Sequence, residues 1–293
     1  MKSCSILISN YNSFEAIQLC IESIKKRTDY PDYQIVVYDD ESSNGVDLPY
    51  LEKAESKGWI RFIHGNRQRW ANEIDALYAP HKIISPSPYW HGCALNVLVN
   101  EICDTELAMI MDADVYIKEA DWLSKIVEKM DEKTLLICDE RPPCLQNYGY
   151  DVGNYNLWFG LLNMKTYNDG MKIDWRGKMV DRREEPYLSL INNLYPPQEK
   201  CKEEYEKASK IEFFDENRVC LDPGSELWIA MKMNNPKGYK VKTLPHLICQ
   251  KFRHFGHISV VSENIIDLNI HQKEIWQLGL IPVKKVLEEL RTI

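Results

Sequence analysis

Asp112-Ala113-Asp114 sets two carboxylates two residues apart with only a methyl group between them, directly after the apolar run Leu107-Ala108-Met109-Ile110-Met111. Two such acids can share one hard divalent cation whose remaining positions go to phosphate oxygens and water. An uninterrupted apolar run of this length reads as a strand buried on both faces, and open α/β sheets bind ligands beyond the carboxyl ends of such strands. Short acidic motifs also occur in turns and helix caps, so the meaning of this pair depends on its neighbours.

Three other groups of residues have the types such a site needs. Ser9-Asn10-Tyr11-Asn12 and Asp39-Asp40-Glu41-Ser42-Ser43 each end a strand pattern. An acid in that position of a nucleotide-binding sheet accepts hydrogen bonds from ribose hydroxyls or a base N–H, and an aromatic ring beside it can stack on the base. Loop acids with a packing tyrosine are the plainer alternative. His91-Gly92-Cys93-Ala94-Leu95-Asn96 offers a small-residue helix start that can approach a phosphate or sugar, or else an ordinary core helix. Asp222-Pro223-Gly224-Ser225-Glu226, with His254-Phe255-Gly256-His257 later on, adds acids for an acceptor and a histidine for a metal. Imidazole suits Mn²⁺ better than a site built for Mg²⁺ alone.

These groups need a scaffold, and the sequence supplies an alternating one. Strands are expected at Ser3–Ser9, Gln34–Tyr38, Ile60–His64, Ala108–Met111 and Thr134–Cys138, with helices near Leu48–Lys57, His91–Cys103 and Glu119–Met130. Ser13 is a candidate cap for a helix bearing Ile17, Cys20, Ile21 and Ile24 on one face. The stretch 141–219, rich in Pro, Asn, Tyr and charge, is expected to be an irregular insertion, with a strand at Leu157–Leu162 and a polar helix at Cys201–Ser209. Its Tyr148, Tyr150, Tyr155, Trp158, Trp175 and Tyr187 form either an aromatic platform for a sugar ring or the core of the insertion. Regular structure resumes with a helix at Ser225–Met233 and a strand near Lys240–Leu244. The tail from Lys273 is expected to be helical, with Val283, Val286, Leu287 and Leu290 on one face.

A length of 293 residues allows a substantial core. The net charge of -8 argues against a duplex-DNA binder and makes nucleic acid an unlikely partner. Nine cysteines, an odd number without a C-x-x-C pair, fit reduced thiols rather than a disulfide framework. With no signal-peptide pattern, no membrane-length apolar stretch and no N-x-S/T sequon, a cytoplasmic location is expected, with peripheral membrane contact through the tail helix as a variant of it.

The order of the motifs resembles the inverting glycosyltransferases of family 2, which have the GT-A fold. Ser5-Ile6-Leu7-Ile8-Ser9-Asn10-Tyr11-Asn12 is similar to that family's first strand and nucleotide loop, and Ile35-Val36-Val37-Tyr38-Asp39-Asp40-Glu41-Ser42-Ser43 to its V-V-D-D-G-S segment. Gly92, Ala94 and Asn96 match G-x-A-x-N, and Ile110-Met111-Asp112-Ala113-Asp114 matches L-D-A-D. Glu226-Leu227-Trp228 through Gly238-Tyr239-Lys240-Val241 resembles the acidic helix and G-Y-K-V turn, and His254, Gly256 and Ser259 the late H-x-x-G-x-S element. Two positions depart. Glu41 stands at the glycine of the D-D-G-S turn, which is expected to alter that loop, and Leu95 stands where many relatives carry arginine, leaving Arg67 or Arg69 as the cation for a phosphate.

The resemblance implies an α/β fold of GT-A type: a Rossmann-like, mostly parallel sheet flanked by helices, with the insertion and C-terminal helices added. It implies one catalytic domain over 1–262, with a nucleotide-binding half at about 1–120, an acceptor-side half at about 121–262, and a helical extension at 263–293. It further implies Mn²⁺ or Mg²⁺ held by Asp114, Asp112 and His254. The donor, a nucleotide sugar and foremost a UDP-sugar, would be bound by Ser9, Tyr11, Asp39, Asp40, Arg67, Asn96 and Asp112. Glu226, or secondarily Asp222, would be the base for a glycan, lipid-linked or other hydroxyl acceptor. Two other readings compete: a haloacid-dehalogenase-type phosphatase using Asp112 and Asp114, and a non-catalytic module binding sugar nucleotides or glycans. The phosphatase class normally opens with its D-x-D strand and carries its Asp-Asp pair later, the reverse of the order here.

Overall fold

The computed structural model describes residues 2–72, 87–141, 144–146, 149–151, 153–181, 183–185, 187–189, 218–244, 252–254 and 284–292. Strands and helices alternate as the apolar patterning requires: β1 (Cys4–Asn10), α1 (Phe14–Arg27), β2 (Tyr33–Asp39), α2 (Asp47–Ser56) and β3 (Arg61–His64). After these come α3 (Ser87–Val97, extended by a π turn over Leu98–Ile102), β4 (Leu107–Asp112), β5 (Val115–Ile117), α4 (Trp122–Val127) and β6 (Thr134–Arg141). The remainder comprises β7 (Cys144–Gln146), β8 (Gly149–Asp151), β9 (Asn154–Asn163), α5 (Met164–Asn168), β10 (Lys178–Asp181), β11 (Arg218–Leu221), α6 (Ser225–Met233), β12 (Lys240–Thr243), β13 (Phe252–His254) and a last helix, α7, over 284–292.

Seven strands form one sheet in the order β12-β6-β9-β4-β1-β2-β3. All neighbours pair in parallel except at β9, which is antiparallel to both β4 and β6. The sheet is buried on both faces, and side chains alternate between them with period two. Leu7, Val36, Ala108 and Ile110 pack with α3 on one side, while Ile6, Ile8, Val37, Met109 and Met111 pack with α1, α2 and α4 on the other. This is the mostly parallel α/β sheet, flanked by helices, that the sequence implies.

Two expectations change. The stretch 141–219 is less irregular than its composition indicates: β9 runs through ten residues at the centre of the main sheet, and β7, β8, β10 and β11 form a second, four-stranded sheet. The strand expected at Leu157–Leu162 is the core of β9, but its antiparallel place inside the main sheet is set by long-range pairing that composition does not carry. Ser13 does start α1, but its hydroxyl donates to Asn10 Oδ1 at 2.5 Å and makes no cap bond to the helix. The candidate helix at Cys201–Ser209 lies outside the described residues.

α1 is apolar on two sides, which explains where the tail goes. Ile17, Cys20, Ile21 and Ile24 face the sheet, whereas Ala16 and Leu19 meet Val286, Leu287 and Leu290 of α7, with Tyr116 at the edge. Lys284 pairs with Glu15 at 3.3 Å and Arg291 with Glu22 at 3.6 Å, and the Lys26 ammonium donates to the Leu290 carbonyl near the end of α7. The exposed pairs contribute little, so apolar burial holds the helix. Val283 and the span 263–283 lie outside the described residues. Among the described residues no helix is long and apolar enough to cross a membrane. Leu290→Ala, at a side chain only 2 % exposed, is expected to lower the unfolding free energy by about 2–5 kcal/mol in a urea titration. A change within about 0.5 kcal/mol, the size of an ordinary surface substitution, would contradict the docking.

Candidate active site at the carboxyl edge of the sheet

The parallel ladder pairs Asn10 with Asp39, Asp39 with His64, and Ser9 with Asp112, so the ends of β1, β2, β3 and β4 lie side by side. Asn10, 2 % exposed, joins the first two. Its amide donates to Asp39 Oδ1 at 2.7 Å and to Asp47 Oδ2 at 3.1 Å. Asp39 also accepts from the Ser42 hydroxyl at 2.7 Å and the Ser42 backbone N–H at 2.9 Å, so it acts as the internal acceptor that closes the loop after β2. Burial raises the Asp47 carboxyl above the usual carboxylate range, against hydrogen bonds from its neighbours.

Asp40 has a different environment. It ion-pairs with Arg67, whose Nε lies 3.0 Å and whose terminal nitrogen lies 2.9 Å from Asp40 Oδ2. The Arg67 guanidinium stacks over Tyr11 at 3.9 Å and over Trp90 at 4.8 Å, measured to the ring centroids. Burial pushes the Asp40 carboxyl up to about 6, and Arg67 opposes that shift. Arg69, the other candidate cation, is turned away and makes two hydrogen bonds to Glu101, at 2.6 and 3.0 Å. Glu41 occupies the glycine position of this loop with φ +59° and accepts from the Arg67 backbone N–H at 3.2 Å. The turn therefore takes a left-handed conformation with a glutamate in it.

Asp112 ends β4 and Asp114 precedes β5; the Asp112 side chain is 30 % exposed, and Asp114 is buried. β13 runs antiparallel to β5 and places His254 opposite Val115, one residue beyond Asp114. The sequence-distant histidine is thus brought by backbone register to the acid pair. Two carboxylates and one imidazole are a donor set that suits Mn²⁺ and accepts Mg²⁺. Among the described residues no group of three or more acids, histidines and cysteines is placed to hold a metal ion.

His91 also belongs to this edge. Its Nδ1 lies 2.9 Å from Ser9 Oγ and its Nε2 3.8 Å from Asp112 Oδ1. Neither distance is readable from sequence, because His91 is 82 positions from Ser9 and meets both partners only through the folding of α3 onto the sheet. The signal that was present is the histidine's place at the start of the small-residue helix. The rest of that motif serves packing. A Cβ on Gly92 would stand 2.5 Å from the Trp175 carbonyl oxygen, and Asn96 Oδ1 accepts from Asn100 Nδ2 at 2.8 Å and from the Trp175 N–H at 3.4 Å. Gly92 and Asn96 thus hold the segment 173–177 against α3.

On the acceptor side, α6 begins after Gly224, whose φ of +89° and close approach to the Tyr155 carbonyl require glycine. Because β9 runs antiparallel with Phe159 opposite Met111, its first residues extend beyond Asp112. Gly224 lies on Tyr155 and Leu157 there, and Asn154 donates to Asp222 Oδ2 at 3.3 Å. Asp222 and the start of α6, whose first turn carries the partly exposed Glu226, are therefore held against the part of β9 that extends beyond Asp112. Trp228 and Lys232 anchor α6 by bonding Glu140 Oε1 at 2.9 and 2.7 Å. Of the candidate sugar platform, Tyr155 and Trp175 are core residues, and Trp175 Nε1 donates to Tyr167. Tyr148 lies outside the described residues.

Among known proteins, the model of Glycosyl transferase family 2 matches residues 5–77. No curated protein sequence matches the chain. Solved structures that are similar include a TarS fragment, residues 1–349, from S. aureus, at 15% identity and TM-score 0.44, over 95% of this chain and 70% of that one. A galactosyltransferase, LgtC, in complex with donor and acceptor sugar analogs is 16% identical with TM-score 0.39, over 82% and 72%. A mannosyltransferase, PcManGT from Pyrobaculum calidifontis, in complex with GDP-Man and Mn²⁺, is 14% identical with TM-score 0.39; the match covers 57% of this chain and 46%, less than half, of that one. At these identities and TM-scores none carries an argument about the donor, acceptor or metal of this chain.

Two outcomes are expected from the loop geometry. Because the Asp40 carboxyl is raised in the folded state, its contribution to stability is fully present below its ordinary pKa near 4 and is lost as pH rises through about 6. Urea titrations between pH 4 and 8 should therefore show a decline on the order of 1–3 kcal/mol that Asp40→Asn removes. Glu41→Gly should leave stability unchanged or raise it by up to about 1 kcal/mol, while Glu41→Val lowers it by about 1–2 kcal/mol, since a β-branched residue tolerates positive φ least. Equal melting temperatures for the two variants would show that the turn is not left-handed.

Proposed function

We propose, from the premise that residues 5–77 carry the sequence of glycosyl transferase family 2, that this chain moves a sugar from a nucleotide-sugar donor to a hydroxyl acceptor in a single displacement with inversion. The observation that carries the reading is the convergence, on adjacent strand ends, of the Tyr11–Arg67–Asp40 cluster with the Asp112 and Asp114 carboxylates. A nucleotide diphosphate has the same two parts, a flat base with polar edges and a polyanion that needs a cation.

In this reading the base lies near Tyr11, and Asp40 with Arg67 offers an acceptor and a donor to its edge or to the ribose. UDP is the favoured nucleotide because a uracil N3–H needs only one carboxylate acceptor. Ser9 and Asn96 flank the donor path, with Asn96 acting through the segment it holds. Asp112 and Asp114, joined by His254, would hold Mn²⁺ or Mg²⁺. A bound ion of that kind supplies electrostatic stabilisation to the departing diphosphate.

The remaining chemistry belongs to the chain's own acids. Glu226, in the first turn of α6, accepts the proton of the acceptor hydroxyl as that oxygen bonds to the anomeric carbon and the carbon–oxygen bond to the diphosphate breaks. Asp222, oriented by Asn154, is the second candidate for that base. The acceptor is a glycan, a lipid-linked sugar or another hydroxyl compound. The buried cysteines Cys4, Cys20, Cys93 and Cys138, none of them in a disulfide, suit a reducing compartment such as the cytoplasm.

Assaying labelled nucleotide sugars with Mn²⁺ tests this reading. Asp114→Ala is expected to reduce hydrolysis and transfer at least about 100-fold, and Glu226→Gln to lower kcat by about 10²–10⁴-fold while donor affinity is retained. Donor binding with no turnover of any sugar nucleotide would favour a non-catalytic binding module. Full activity of Asp114→Ala would sink the metal assignment.

A further inference from the structure

The imidazole of His91 has no role in the scheme above, yet it lies over the seam between its two halves. Ser9 and Asp112 are direct partners in the β1–β4 ladder, and His91 touches the first and faces the second. Trp90, the preceding residue, stacks on Arg67. A diphosphate that runs from a base near Tyr11 to a cation at Asp112 and Asp114 has to cross this seam.

Ser9 engages one imidazole nitrogen, Nδ1, and leaves Nε2 as the one that can meet it. Ser9 Oγ lies 2.9 Å from Nδ1, and a hydroxyl serves equally as donor or acceptor. The Asp112 carboxylate lies 3.8 Å from Nε2, too far for a hydrogen bond, so this nitrogen faces the acid without being bonded to it. A phosphate oxygen only accepts, so one arriving at Nε2 selects the tautomer with its proton there, and Ser9 then donates to Nδ1. About a third of the His91 side chain, 32%, is exposed, so this donor is within reach of a ligand. The nearby cations are already engaged, Arg67 with Asp40 and Arg69 with Glu101. α3 is held in place by the close contact of Gly92 with the backbone of 175–177, so the ring is carried on a fixed element.

We propose that His91 is a donor-contact residue whose Nε2–H hydrogen-bonds an oxygen of the nucleotide diphosphate, with Ser9 holding the ring through Nδ1. The proposal rests on the nucleotide-sugar reading and adds a residue to it. An N–H donor to an ionised phosphate oxygen makes a charge-assisted hydrogen bond, and its loss weakens binding about tenfold or more.

The test compares UDP, GDP, ADP, CDP and dTDP with the matching nucleosides, by calorimetric titration and competition in the presence of MnCl₂. For the diphosphate that binds best, His91→Ala should weaken affinity about tenfold or more and leave the nucleoside unchanged. His91→Gln, which keeps an N–H near the Nε2 position, should restore most of the loss, and Ser9→Ala should give an intermediate one. Equal loss for diphosphate and nucleoside, or no loss for either, would overturn the role of His91 while wild-type binding upholds the donor reading. If the wild-type chain binds none of the five diphosphates, both fall. Should His91→Ala fail to fold, Ser9→Ala decides, since it leaves the ring in place: unchanged diphosphate affinity would overturn the proposal.

Discussion

The register of β1 between β2 and β4 is the constraint on which the carboxyl edge depends, since it alone sets Asn10 beside Asp39 and Ser9 beside Asp112. A slip of one residue would exchange the faces of a strand. In this sheet both faces are apolar, so hydrophobic burial penalises such a slip far less than in a half-solvated sheet. The specificity comes from the polar strand ends. Asn10 gives its two amide hydrogens to Asp39 and Asp47, and its carbonyl accepts from Ser13, which ties β1, β2 and the start of α2 into one buried network. A half-satisfied network costs more than an apolar contact, and a shifted strand would leave those carboxylates buried without their donors.

That network also divides the work of the adjacent acids. Asp39 uses its lone pairs on Asn10 and Ser42 inside the loop, and this leaves the next, also buried, acid to take a separate partner. Asp40 then meets Arg67, and the pair is braced by two aromatic rings. The left-handed Glu41 makes the turn that lets both acids be used in different directions. Strain of about 1–2 kcal/mol in that residue is tolerated where surrounding structure over-determines the backbone. Here the determinants are the Ser42 bonds to Asp39 on one side and the Glu41 carboxylate bond to the Arg67 N–H on the other.

The parallel half of the fold was legible because its signal is local. Apolar runs at 35–37 and 107–111 became β2 and β4, with boundaries shifted by only one or two residues, and the helix over Ser225–Met233 appears as its periodicity indicated. The acids of the strand ends were legible for the same reason, since each follows its run directly. What resisted was everything fixed by long-range pairing. The choice of Arg67 over Arg69 depends on where the chain turns after β3, and the separate roles of Asp39 and Asp40 depend on which one Asn10 reaches. His91 meets Ser9 across 82 positions. The aromatic residues of 141–219 carry no local mark that separates Trp175, wholly buried against Tyr167, from a ring that faces a ligand.

The antiparallel strand β9 shows how the two halves of the site are joined. A further parallel strand in its place would end level with β4 and add one more loop to the same row. Running the other way, β9 enters from beyond the edge, so its first residues stand past Asp112 before the strand pairs with Met111. Those residues are the ones that receive the Asp222–Gly224 turn, through the Asn154 amide and the close backbone contact at Gly224. The first turn of α6 is thereby set against the part of β9 that extends past Asp112, its Leu227 and Trp228 pack into the core on the α3 side of the sheet, and Trp228 and Lys232 clamp it to Glu140 on β6. The acids of the second half owe their place to the reversal of this single strand, while those of the first half owe theirs to the parallel ladder.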